Sequence, residues 1–257
     1  MVIVTITSDW RDGSYYLGAL KGAILSLSQS VTVVEITNSI PSFDILQEAF
    51  VLKSCYSHFP EGSIHLMCVM SEPAYDAPMV ILYTEGHYFI GINDGRFSHM
   101  FNNPPAICFE ILREKSRFGS TFSSLELFKK GVDIIIGNSF EKRTVVSDVK
   151  KETIAEVVYN EDAIVGRVIY IDSFGNAITN IEKRLFDSLQ RGRTYTIYAN
   201  GPYNKINKIS KGYKDTLPGT TVALFNSVAL LELAVNQGNI SELEGLMPSS
   251  EVRIKFN

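Results

Sequence analysis

Residues 2–37 read VIVTITSDWRDGSYYLGALKGAILSLSQSVTVVEIT. Val2 to Thr7 is a continuous apolar run rich in β-branched residues, the pattern of a strand buried on both faces. A polar loop, Ser8-Asp9-Trp10-Arg11-Asp12-Gly13-Ser14, ends it. The spacing of Leu17, Leu20, Ile24 and Leu27 predicts a helix from about Tyr15 to Ser28. Val31 to Thr37 then reads as a second strand.

The same alternation continues outward. Ser42 is the expected N-cap of a helix from Phe43 to about His58, and Ser63 to Met70 is a third strand. This order predicts an α/β domain with a mainly parallel sheet, flanking helices and right-handed crossovers. Ligands bind such sheets beyond the carboxyl ends of the strands. Asp9, Phe43 and Met70-Ser71 follow the first three strands there. No GxGxxG follows the first strand, which argues against a dinucleotide fingerprint. Further on, Met79–Tyr83 and His87–Ile92 form a hairpin around Glu85-Gly86, and Asn93-Asp94-Gly95 reads as another turn. Ala106–Leu112 is a candidate strand. Ser123 or Ser124 would cap a helix from Leu125 to about Val132.

Lys142 to Glu161 loses periodicity, so the expected domains are 1–155 and 160–257. The second contains short strand-like runs between turns: 164–171, 194–199, 207–210, 221–225, 230–235 and 252–256. These predict a smaller antiparallel β-barrel domain, interrupted by a short helix near Lys183 to Ser188. Its polar breaks are Asp172-Ser173-Phe174-Gly175-Asn176, Asn226-Ser227 and Asn236-Gln237-Gly238-Asn239. Turn chemistry alone accounts for such residues. Acid, ring and amide together also suit a planar, hydrogen-bonding cation, and the amides can read a purine edge.

The composition narrows the function classes. Hydrophobic residues make up 45% of the 257 and the net charge is −4. That is globular, with no basic footprint for nucleic acid or anionic membrane. No apolar run reaches the roughly 18 residues that cross a bilayer. The N-terminus reads as a strand rather than a signal peptide. Cys55, Cys68 and Cys108 lack metal spacing and suit buried thiols in a reducing cytoplasm. His58, His65, His87 and His99 form no HxH or HExxH pair, so no metal is expected.

The ordered set of motifs resembles the S-adenosyl-L-methionine (SAM) hydroxide adenosyltransferases and the related SAM-dependent fluorinase and chlorinase. The likeness is carried by Thr7-Ser8-Asp9, Tyr16–Gly22, Val34–Thr37, Ile40–Leu46, Phe59–Ser63, Tyr88–Ile90 with Asn93-Asp94-Gly95, Ser120-Thr121-Phe122, Tyr170–Ile181 and Leu230–Asn236. It implies a homotrimer with sites at subunit interfaces and SAM as substrate; no further cofactor is expected, and the cysteines place the chain in the cytoplasm. It also implies that Asp9 holds the ribose hydroxyls and that Phe43 and Phe122 wall the reacting carbon. Asp172 and Ser227 would hold the methionine end. Asn176, Asn236 and Gln237 would face adenine, with Phe174 and Tyr213 stacking on it.

The likeness departs from the family at the water site. Hydroxide-using members carry an Asp-Pro-Gly after the third strand, an Arg several residues on, and a His directly after Ser/Ala-Thr-Phe. Met70, Ala77 (or Pro78) and Ser123 stand there, and the family acid five residues after the first Asp is Ser14. Glu72 and Asp76 are near in sequence and would need a shifted loop to substitute. Ser124 falls where the fluorinase places a serine near its halide. The resulting expectation is an adenosine-forming SAM hydrolase in which Ser123 and Ser124 position the water. The alternatives are a catalytically degenerate SAM or adenosine binder, or an enzyme using another nucleophile such as halide.

Overall fold

The structure, a computed structural model, describes residues 2–101, 108–112, 121–140, 145–146, 149–152, 156–201 and 204–257. The chain divides into two compact units, Met1–Glu152 and Thr153–Asn257.

In the first unit β1 (Val2–Thr7), α1 (Tyr15–Leu25), β2 (Val31–Thr37), α2 (Ile45–Lys53) and β3 (Ile64–Met67) follow one another. Then come β4 (Met79–Thr84), β5 (His87–Ile92), α3 (Arg96–Met100), β6 (Cys108–Glu110), α4 (Ser123–Ile136) and β7 (Val145–Val146). The sheet order is β2-β1-β3-β5-β4-β6-β7. β2, β1, β3 and β5 are parallel neighbours, while β4 and β6 pair antiparallel. Helices cover both faces. Leu20 and Ile24 of α1 and Phe128 and Val132 of α4 pack with Val4, Ile6, Leu66 and Ile90. Ala49 and Leu52 of α2 and Phe97 and Met100 of α3 pack with Met67, Val80 and Phe89 on the other face. That double cover is why β1 is apolar without alternation.

Three local expectations are corrected, and the Asn93-Gly95 turn gains a helix after it. Asp44, not Ser42, caps α2: its carboxylate accepts from Gln47 N at 2.9 Å. The helix expected to run to His58 stops at Lys53, and a 3-10 turn spans Tyr56–His58. β3 ends at Met67, because the next backbone groups are taken by side chains: Glu48 accepts from Val69 N, and Arg96 donates to the Val69 and Met70 carbonyls. The Asn93-Gly95 turn opens a helix, α3, since Asp94 accepts from Arg96 N after Gly95 at φ +115°. The N-terminal part of the Ala106–Leu112 prediction lies outside the described residues.

The second unit contains β8 (Val158–Tyr159), β9 (Ala163–Ile171), β10 (Ala177–Glu182), α5 (Lys183–Gln190), β11 (Tyr195–Ala199), β12 (Lys205–Ile206) and β13 (Ile209–Ser210). β14 (Thr221–Phe225), β15 (Leu230–Val235), α6 (Ile240–Glu244) and β16 (Glu251–Phe256) complete it. The sheet order is β12-β11-β16-β9-β10-β15-β14-β13, with β8 on β9. It curls until β12 lies against β14, giving a nearly closed barrel. Only the β13–β14 pair is parallel among the described residues. The interior holds Ile164, Val168, Ile181, Ile197, Leu233 and Ile254, with Phe186 of α5 packed on Tyr195, Phe225 and Phe256.

A buried histidine pair sits within the first sheet. The Thr5 hydroxyl is 2.8 Å from His65 Nδ1, and His65 Nε2 is 3.2 Å from His87 Nδ1. Two neutral rings satisfy this chain, each with one donor and one acceptor. Burial, and then His87, hold His65 down at about 3. The unfolded ring titrates near 6.5, so its neutral-state stabilisation is complete above that pH and is lost as pH falls toward 3. Glu48, pushed up by burial, has the opposite pH dependence and offsets this in the wild type. The expected result is therefore differential. The stability gap between wild type and His65→Gln narrows by about 2 kcal/mol from pH 7 to pH 5 in urea unfolding. A gap constant with pH contradicts the neutral pair.

Candidate active site

Beyond β1 and β3 the chain gathers a charged and aromatic rim. β1 and β3 run in register to Thr7 and Met67, so Asp9 and the loop from Cys68 leave the same edge. Asp9 Oδ2 accepts from Phe43 N at 3.1 Å. Phe43 is held at φ +69° with its ring 73% exposed. A bulky residue in the left-handed region costs about 1–3 kcal/mol. Phe122 meets Trp10 edge-on at 5.4 Å and Tyr16 at 4.8 Å. The structure thus joins Asp9 to Phe43, and Phe122 to Trp10 and Tyr16.

Ser123 and Ser124 are the first two residues of α4 rather than caps before it, and Phe122 at the N-cap position makes no side-chain cap. The cap comes from elsewhere. Glu72 Oε1 accepts from Ser124 N at 3.1 Å and from Ser124 Oγ at 2.9 Å, and Oε2 accepts from Ser123 Oγ. Ser71 Oγ donates to Ser124 Oγ at 3.2 Å. The loop does carry Glu72 to these serines. Asp76 instead pairs with Lys150 at 3.4 Å.

That loop is clamped from beneath by a buried ionic network. Arg96 is fully buried and donates to Glu48 at 2.9 Å and to Asp94 at 3.0 and 2.8 Å. Its remaining bonds hold the Val69 and Met70 carbonyls, which fixes Met70 at φ +47°. Burial pushes the Glu48 carboxyl up to about 8, against the pull of the Arg96 guanidinium and the Val69 amide. Arg96 rises from its ordinary value: burial pulls it down, and Glu48 and Asp94 outweigh that.

In the second unit, Asp172 organises its own loop. Oδ1 accepts from Phe174 N and Asn176 N at 2.9 Å each, and Oδ2 accepts from Asn176 Nδ2 at 2.9 Å. The amide NH2 of Asn176 is therefore engaged within the loop, and Phe174 stands 75% exposed. Gly175 lies at φ +78°, where an added Cβ would meet the Asn239 side chain at 2.0 Å. Gly175→Ala is expected to cost at least about 1–2 kcal/mol from backbone strain alone, read as a lowered thermal midpoint. An unchanged midpoint contradicts this packing.

Tyr213 lies in a 3-10 turn, and its hydroxyl donates to Glu232 at 2.6 Å. Burial first, then Glu232 and Asp172, push the phenol well up. Asn236 is tied through Nδ2 to Thr216 O at 2.7 Å. Ser227 and Gln237 occupy exposed turn positions and make no side-chain hydrogen bond among the described residues.

Sequence reasoning missed Trp10, Tyr16, Glu48, Arg96 and Glu232. Trp10, the only tryptophan, directly follows Asp9 and was available as a signal. Among the described residues no group of three His, Cys, Asp or Glu side chains could hold a metal, and no helix is long and apolar enough to cross a membrane.

Comparison with known proteins gives matches over both units. Residues 4–142 match the SAM hydroxide adenosyltransferase N-terminal domain and residues 166–253 its C-terminal domain. A Methanocaldococcus jannaschii protein named (R)-S-adenosyl-L-methionine hydrolase is 27% identical, over 99% of this chain and 96% of its own. A Thermus thermophilus protein of the same name is 23% identical, over 98% of each. A solved structure of an uncharacterized conserved protein from Thermotoga maritima shares the fold with a TM-score of 0.82 at 21% identity, covering 99% of this chain and 100% of that one.

Proposed function

Since this chain belongs to the SAM hydroxide adenosyltransferase family, we propose that it hydrolyses S-adenosyl-L-methionine to adenosine and L-methionine by displacement at the ribose 5′ carbon. The observation that carries this is the family match across both units, with Asp9 and the Asp172–Asn176 loop each built as a polar receptor. The two curated relatives are named for the (R) epimer at sulfur, so that epimer is the substrate to test first.

The leaving group departs from a sulfonium as a neutral thioether and needs no general acid. The protein must hold the ribose, shield the carbon and deliver water in line at about 3–3.5 Å. Asp9 accepts from the two ribose hydroxyls, because a carboxylate offers only acceptors. Phe43 and Phe122 wall the reacting carbon and exclude bulk solvent. Asp172 faces the methionine ammonium, a charge too costly to bury alone, and Ser227 its carboxylate. Asn176 and Asn236 have their amide NH2 groups already engaged, which leaves their carbonyl oxygens for the adenine amine. Gln237 reads the same edge, and Phe174 and Tyr213 stack on the purine. Ser123 and Ser124 line the water position.

The assembly we propose is a cytoplasmic homotrimer with the sites at subunit interfaces. The highly exposed rings of Phe43 and Phe174 support it, as site aromatics left bare in one chain call for a second copy. Burial pushes the Cys55 and Cys108 thiols up to about 11, so they are little ionised near neutral pH. Incubation with SAM followed by product separation tests the reaction, and light scattering tests the trimer. Intact SAM, or a monomer that is fully active, contradicts the respective part.

A further inference from the structure

Glu72 is an exposed acid, yet both its oxygens are organised by α4. It accepts one backbone N–H and two hydroxyls from Ser123 and Ser124, which are almost fully buried. A carboxylate has about four lone-pair sites. Two on Oε1 and one on Oε2 are taken by α4, so Oε2 keeps one acceptor site beyond those bonds. The arrangement follows directly on Phe122, which packs on Trp10 next to Asp9. The Arg96 clamp on the Val69 and Met70 carbonyls fixes the approach of the loop.

We propose that Glu72 is the proton acceptor for the attacking water, with Ser123 and Ser124 holding its carboxylate in place. This rests on the hydrolase reading above and adds a proton acceptor to the serines at the water position. As the C5′–O bond forms, the C5′–S bond breaks and its electron pair goes to sulfur, giving the neutral thioether of methionine. The water oxygen becomes oxonium-like and strongly acidic during that step. A carboxylate therefore suffices as acceptor, and the proton passes to Glu72 Oε2 and then to solvent. The same charge occupies the positive end of α4, where an anion would otherwise bind. Water is favoured over halide for that reason.

Positioned general bases contribute about 10²–10⁴-fold. The Glu72→Gln variant is expected to lower kcat by about 10²–10³-fold while KM for SAM stays within about threefold. Glu72→Ala is expected to fall similarly and to recover part of its rate with added formate, which refills the carboxylate site. Asp76→Asn, on the same loop but paired with Lys150, should keep wild-type kcat. Thermal melts of each variant separate a folding defect from a catalytic one. A folded Glu72→Gln enzyme with near wild-type kcat overturns the role of Glu72 and leaves the hydrolase reading intact. A Glu72→Ala variant that is stably folded, slow and unresponsive to formate reduces Glu72 to a helix cap. A wild type that binds SAM and leaves it intact contradicts both readings.

Discussion

An Asp9→Ala variant is expected to lose SAM affinity by about 10²–10⁴-fold. Two charge-assisted hydrogen bonds to a ribose diol are each worth about 1.5–3 kcal/mol, and tenfold in affinity is 1.4 kcal/mol. The same change frees Phe43 N, which bonds Asp9, so the strained Phe43 loses that anchor as well. Asp9→Asn keeps one acceptor and should fall between. Titration calorimetry on folded protein reads both. Wild-type affinity in Asp9→Ala would remove the pocket from this edge of the sheet.

Arg96→Ala is expected to be the most destabilising single substitution considered. It leaves Glu48 fully buried and without its guanidinium, and it removes the two side-chain bonds that Arg96 gives Asp94, the backbone N–H bond remaining. Breaking a buried pair from one side costs about 3–5 kcal/mol. It also releases the Val69 and Met70 carbonyls, so the Glu72 loop should loosen and turnover should fall even where the protein remains folded. A urea midpoint within error of wild type contradicts the network as drawn.

What was legible in the sequence follows from range. The β1–α1–β2 order is written in local periodicity, since a strand covered on both faces is mostly apolar and β-branched. The short strands of the second unit are separated by visible turn residues. The family resemblance, read from motifs in order, is met by matches to both family domains. Three features were not read, two of them because their partners are distant. Arg96 reads as a surface charge until Glu48, 48 residues away, closes on it. Glu72 meets Ser123 across 51 residues. Asn93-Asp94-Gly95 carries turn chemistry, and only the side chain of Asp94 turned back to Arg96 N makes it a helix start. The Ser42 cap failed for a smaller reason: Phe43 adopts a left-handed conformation, which moves the helix start two residues on to Asp44. Glu232 was overlooked because it lies within an apolar strand, Leu230–Val235, where a lone acid gives no hint of the tyrosine it holds.

The most direct test is incubation of the purified protein with (R)-SAM in 18O-labelled water, followed by mass analysis of the nucleoside. The account predicts adenosine and L-methionine in equal amounts, with the label in the adenosine 5′ hydroxyl. Free adenine, methylthioadenosine or unchanged SAM would contradict water displacement at the 5′ carbon.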